Sequence, residues 1–254
     1  MFLQKIPHYS FFMRKPSTSL LLLVALLSVS HHLCAASTSG SIQAQPDNTA
    51  PALDLRINYY NKILTPEGVT KETRYEEIML RRPGHVWIER ILPKQSNAHL
   101  TESAEKGHTH KQFNHVTTPR HIFIDNGQTK IEFIDKNQKE LISIPAAEFN
   151  NVNFDGSWDN AFYLLNPKLI KEIPLSKRQS TITNAKWHER EINGSFQRIL
   201  WDEQKQIPLS IETGDKHGFI FRKLDIQIEN KLNAQLPWKQ AQSYSRKEYA
   251  DFLD

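Results

Sequence analysis

Three histidines, His108, His110 and His115, fall within eight residues of a stretch whose other members are mostly polar. Imidazole is a ligand for Zn, Cu and Ni, and an H-x-H pair on extended backbone puts both rings on one side. His99, Glu105 and His121 lie close enough in sequence to complete a coordination shell. The spacing is not that of an H-E-x-x-H site. Two other readings of the same residues stand beside a Zn or Cu site. One is a solvated loop in which the histidines are polar filler. The other is a pH-responsive segment, because clustered histidines titrate together between about pH 5 and 8.

Other chemistry finds less to stand on. No G-x-S-x-G elbow supports a hydrolase, and none of the nine glycines falls in G-x-G-x-x-G or G-K-[ST] form. Acidic residues are scattered along segments expected to be solvated strand faces. Trp158, Trp187, Trp201 and Trp238 read as core or rim aromatics. The expectation is a non-enzymatic protein with no resident cofactor beyond the metal option.

The first 36 residues stand apart from the fold. Lys5, Arg14 and Lys15 precede the apolar run Leu20–Val29, which is short for a bilayer span, and Cys34 and Ala36 precede a cut ahead of Ser37. This is the pattern of a secretory signal peptide, so a periplasmic location is expected. Cys34 is the only cysteine, so a mature chain has no thiol chemistry. The signal holds three of the 32 basic residues and none of the 28 acidic ones, which leaves 29 against 28. A balance near +1 argues against nucleic acid as a partner.

The elements that must position any site are mostly strands. Residues 37–52 are small and polar and read as a flexible leader. Leu53–Leu64 has apolar residues at 53, 57, 60, 63 and 64, a helical spacing, with a strand as the alternative for its first few residues. Residues 71–80 and 84–92 form a strand pair about Pro83-Gly84. The His-rich loop then occupies 94–117. From Thr118 to Ile144, period-2 alternation around Asp125-Asn126-Gly127 and Asp135-Lys136-Asn137 predicts a three-stranded meander. Trp158, Phe162, Leu165 and Leu169 predict a helix over 157–169, capped by Asp155 or Ser157 and broken at Asn166-Pro167. Four more strands follow to Ile228, with Asn193-Gly194 as the strongest hairpin signal. The segment 231–254 is a tail with a short helix over 243–253, since Ser245 and Glu248 have capping-box spacing.

This order over residues 53–230 resembles the superfamily of the periplasmic lipoprotein carrier LolA, the receptor LolB and the regulator RseB. It rests on the strand pair hinged on R-R-P-G, the hairpin RHIFIDNGQTKIEFID, the apolar helical insertion and a final meander with Ile207-Pro208-Leu209. The resemblance implies an α+β, mostly β chain with one strongly curved antiparallel sheet, an open half-barrel covered by a few helices. It also implies an apolar cavity for a lipid or lipoprotein acyl chain, and an envelope membrane protein as a further partner. Ile122, Ile124, Ile131, Phe133, Trp158, Phe162 and Leu165 would line that cavity, and Arg82 would hold the helical lid. The His-rich loop and the C-terminal tail depart from the superfamily's pattern. Each acyl CH₂ withdrawn from water is worth about 0.8 kcal/mol, so a cavity can hold a chain without specific polar chemistry.

Overall fold

The structure, a computed structural model, describes residues 50–93 and 114–252. The expected signal peptide and two of the three clustered histidines, His108 and His110, lie outside the described residues.

Eleven strands form a single open sheet. They are β1 (Leu53–Leu64), β2 (Thr70–Arg82), β3 (His85–Ile91), β4 (Arg120–Asp125), β5 (Gln128–Asp135), β6 (Glu140–Ile144), β7 (Ala185–Ile192), β8 (Ser195–Asp202), β9 (Ile207–Asp215), β10 (Ile220–Ile228) and β11 (Ser245–Glu248). Their order is β11-β6-β5-β4-β3-β2-β1-β10-β9-β8-β7. The chain runs two meanders, β1–β6 and β7–β10, joined where β1 pairs with β10. Tight turns set the registers. Asn126 and Gly127 adopt φ of 49° and 75°, and Asn193 and Gly194 take 51° and 76°, the positive values that two-residue hairpins need.

Two expected helices are strands. Leu53–Leu64 is the central strand β1, paired with both β2 and β10. The helical spacing was one subset of its apolar positions. Leu53, Leu55 and Ile57 form the buried period-2 row, with Asp54 and Arg56 between them. In the tail, Ser245–Glu248 does not cap a helix. It adds to β6 in parallel as β11, and a 3-10 turn, Tyr249–Phe252, follows. A one-turn helix there would have left its backbone groups to water, whereas the edge of β6 supplies partners. At the opposite edge, Pro174–Ser176 bonds to β7 through Glu189 N to Pro174 O and Ser176 N to Trp187 O. Both edges are therefore blunted.

The sheet curls. Arg81 on β2 donates to the carbonyls of Lys205 (2.6 Å) and Gln206 (3.3 Å), in the turn between β8 and β9. On a flat sheet β9 would lie three strand spacings from β2, about 14 Å away, further than a side chain spans. The face carrying Arg81 is thus the inner one. It holds the main core, from Leu55, Ile57 and Met79 through Ile122, Phe133 and Ile142 to Ile199 and Ile207. The outer face has a smaller core of Leu80, Trp87, Ile134 and Leu141, capped by Trp238 and Ala241 from the C-terminal segment.

Candidate functional site

Three short helical pieces roof one end of the inner face. They are a 3-10 turn over Ala146–Val152, α1 (Trp158–Tyr163) and α2 (Pro167–Glu172). Ser157 caps α1 by accepting from Asn160 N, and Asn166 caps α2 by accepting from Lys168 N, with Pro167 at its first turn. The expected 157–169 helix is thus two helices, broken where Leu164 takes φ of 63°. The former N-terminal "helix" contributes nothing to the roof, because it is β1 in the floor.

Arg81 ties roof to floor. It is fully buried, its Nη1 lies 3.5 Å from the Phe162 carbonyl, its guanidinium sits 5.0 Å over the Phe162 ring, and its Nε donates to Pro51 O. Burial lowers it to about 10, partly opposed by Tyr163. Arg82, expected here, points to the other face. It bonds Asp54 at 2.6 Å and the carbonyls of Leu53 and Asn233. Neighbours on a strand face opposite ways, so the one-residue difference decides which arginine meets the roof.

Under this roof the space is filled. Ile122, Ile131, Phe133 and Phe162 are 0–2% accessible and belong to one core cluster. Trp158 and Leu165 are part-buried against it, at the margin of the roof, and Ile124 is part-buried towards the β4–β5 turn.

Beyond the roof the inner face stays partly open. Register aligns Ile199, Ile211, Leu224, Tyr59 and Tyr75 in one row across β8, β9, β10, β1 and β2. Ile199 is buried, while the other four are only half-buried. The two tyrosine rings stack at 4.3 Å, and Arg90 Cζ lies over the Tyr75 ring, 3.9 Å from its centroid. The next row inward carries Ile226, Ile57, Glu77 and Arg90.

Glu77 is a buried carboxylate in this apolar setting, 5% exposed. It accepts from Tyr59 Oη at 3.0 Å, and both its oxygens lie 3.4 Å from Arg120 Nη2. Burial, then the charge of Glu77, pushes the Tyr59 phenol well above its ordinary value. Burial and Glu77 also raise Tyr75, against the opposing pull of Arg90 and Arg120. Both phenols therefore stay protonated donors. The cluster sets two guanidinium groups against one carboxylate, and among the described residues Arg90 makes no ion pair. Its chemistry is that of holding an anionic oxygen beside apolar surface.

Glu77, Arg90 and Arg120 were not among the residues singled out from sequence. Their signal is parity: Glu77 is in phase with Met79 and Arg81, Arg90 with Val86 and Ile88, and Arg120 with Ile122.

Of the histidines, His115 lies beside this cluster. Its ring bonds Asn153 at 3.0 Å, and burial, then Arg120, holds it below its ordinary value. His121 turns to the outer face instead. There its Nε2 lies 3.0 Å from His85 Nδ1 and Trp238 stacks at 5.3 Å from both rings. Glu132 completes the group, 4.0 Å from His121 Nδ1 and bonded to Arg246 at 2.8 Å. Among the described residues no three His, Cys, Asp or Glu side chains are arranged to hold a metal ion. No described helix is long and apolar enough to cross a membrane.

No protein-family model matches the chain, and no curated protein matches it. Solved structures similar to it include PNGF-II, at 13% identity and a TM-score of 0.34, where the match covers 78% of this chain and 32% of that one. The Pseudomonas aeruginosa MucA/MucB complex matches at 8% identity and a TM-score of 0.35, over 77% of this chain and 57% of that one. A putative outer membrane lipoprotein-sorting protein domain from Vibrio parahaemolyticus matches at 11% and 0.27, over 76% and 91%. This chain thus spans about a third of PNGF-II and under two thirds of the matched chain of the complex.

Proposed function

We propose that this chain is an exported, non-enzymatic binding protein of the cell envelope that holds a lipid or lipoprotein acyl chain against the inner face of its sheet. One observation carries the reading: the helical roof seals only one end of the curled sheet. At the other end the continuous row of Ile211, Leu224 and Tyr59 is left half-covered. Concave apolar surface beside a few convergent polar groups is where small apolar ligands are held. At about 0.8 kcal/mol per buried CH₂, ten methylenes along this row contribute about 8 kcal/mol before the cost of association is subtracted. The export signal, the near-zero mature charge and the resemblance to envelope carriers and sensors support the same reading.

The test is extraction of the purified protein and mass spectrometry of the extract. Lipid at near-stoichiometric yield is expected, and its loss in a Leu224→Glu variant that keeps the circular dichroism of the parent. An empty extract, together with no uptake of added palmitate, overturns the reading.

A further inference from the structure

We infer that the open half of the inner face is built for a single-chain amphiphile with a carboxylate head, the chain lying along Ile211, Leu224 and Tyr59 and the head on Arg90. The inference rests on the acyl-binding reading and adds the head-group chemistry to it.

The first ground is charge. Glu77 is already matched by Arg120 and by the Tyr59 hydroxyl. Arg90, cross-strand from Glu77, forms no ion pair among the described residues. The Tyr75 ring, 3.9 Å from its Cζ, covers one side of the guanidinium, and the N–H groups suit a planar, two-oxygen acceptor. Half-buried and against an aromatic face, it is less screened than a surface arginine, so an anion gains more from it there.

The second ground is shape. The half-buried row from Ile211 to Tyr75 crosses three strand spacings, about 14 Å, the length of a stretch of extended acyl chain. It is one residue wide. On its outer side the next inward-facing positions are polar: Thr213, Arg222, Asn61 and Thr73. On its inner side Ile57 and Ile226 are already buried. A strip bounded in this way suits one chain rather than two. The cation stands at one end of the strip, beside Tyr75, which is the arrangement that an amphiphile's own polarity matches. Arg222, in the polar row, adds the same sign of potential.

Isothermal titration of the intact protein with palmitate, hexadecanol and hexadecyl phosphate tests the inference, using the parent, Arg90→Gln, Arg90→Lys and Leu224→Glu. Palmitate is expected to bind about 10- to 100-fold more tightly than hexadecanol, the range a charge-assisted hydrogen bond supplies. Arg90→Gln should erase that preference, Arg90→Lys should retain part of it, and Leu224→Glu should remove both ligands. Equal affinities for palmitate and hexadecanol, or a preference that survives Arg90→Gln, overturn the head-group site and leave the acyl reading standing. Tighter binding of hexadecyl phosphate than palmitate overturns the carboxylate assignment. Binding of none of the three overturns both readings together.

Discussion

Arg120 reaches Glu77 across an intervening strand: the two belong to β4 and β2, yet the guanidinium Nη2 lies 3.4 Å from both carboxylate oxygens. On a flat sheet such residues stand two spacings apart, about 10 Å, so both side chains lean over β3 to meet. Glu77 is nearly inaccessible while Arg120 keeps about a quarter of its side-chain surface in solvent. Removing the second partner should therefore cost less than removing the first. Glu77→Gln and Arg120→Met are each expected to lower stability by about 1–3 kcal/mol, with a favourable coupling of about 1 kcal/mol in the double variant. Urea midpoints of the four proteins measure this, and additive losses would mean that the pair is not an energetic unit.

Adjacent arginines on β2 should fail in different places. Arg81 serves the carbonyls of Pro51, Phe162, Lys205 and Gln206, so Arg81→Met leaves several acceptors unserved between roof and floor. A loss of about 3 kcal/mol is expected, with faster amide exchange across 158–172. Arg82→Met leaves the buried Asp54 carboxylate with its Asn233 N bond alone, and the increase in exchange should centre on 229–234. Hydrogen exchange by mass spectrometry separates the two. An identical pattern in both variants would contradict the opposite-face assignment.

Much of this architecture was legible because strands announce themselves by alternation and hairpins by Asn-Gly. Alternation over 118–144 predicts strands with one buried face, and strand pairing puts Ile122, Ile131 and Phe133 together on it. The misreading at Leu53–Leu64 has a definite cause. Tyr60 and Leu64 were counted with Leu53 and Ile57, whereas β1 is buried by partners on both sides that no local window contains. The same cause hid the polar cluster. Glu77, Arg90 and Arg120 are 13 to 43 residues apart, and only the pairing of β2, β3 and β4 brings them together. Ser245 and Glu248 misled in the opposite way: a good local cap signal lost to an edge strand more than a hundred residues distant.

Gly214 should be the least replaceable glycine of the outer face. A Cβ built there would lie 2.7 Å from the Ile220 carbonyl and 2.8 Å from Phe196 Cζ. Gly214→Ala is expected to cost about 1–3 kcal/mol through overpacking, and Phe196→Leu should restore only part, because the backbone contact remains. Gly218→Ala is the control. It has open space but φ of +76°, so its cost of about 1 kcal/mol should be untouched by Phe196→Leu. Thermal melts of the four variants are sufficient.

Acid should loosen the C-terminal segment from the outer face. Trp238 packs flat on His85 and His121 and, with Ala241, covers Leu80, Trp87, Ile134 and Leu141. The charged groups about the stack are Lys239 on the segment itself, Arg246 on β11 and Glu132 on β5. Burial, then His121 and Lys239, holds His85 below its ordinary value of 6.5. The undocked chain therefore binds protons at a pH where the docked one does not. The contribution of the stack is whole above about pH 6.5 and is lost as pH falls through the lower, docked value. Burial alone would raise Glu132, but the bonds from His121 and Arg246 outweigh it and hold the carboxyl below 4.5, so a second loss of the same sign follows at lower pH. Amide protection of 236–248, corrected for intrinsic exchange rates, should fall several-fold between pH 7.5 and 5.5 while that of β1 changes little. His85→Phe keeps a ring against Trp238 and removes the titrating group, so its protection should be flat over the same range. Protection that rises towards pH 5.5, or a slope that persists in His85→Phe, would place the titrating group elsewhere.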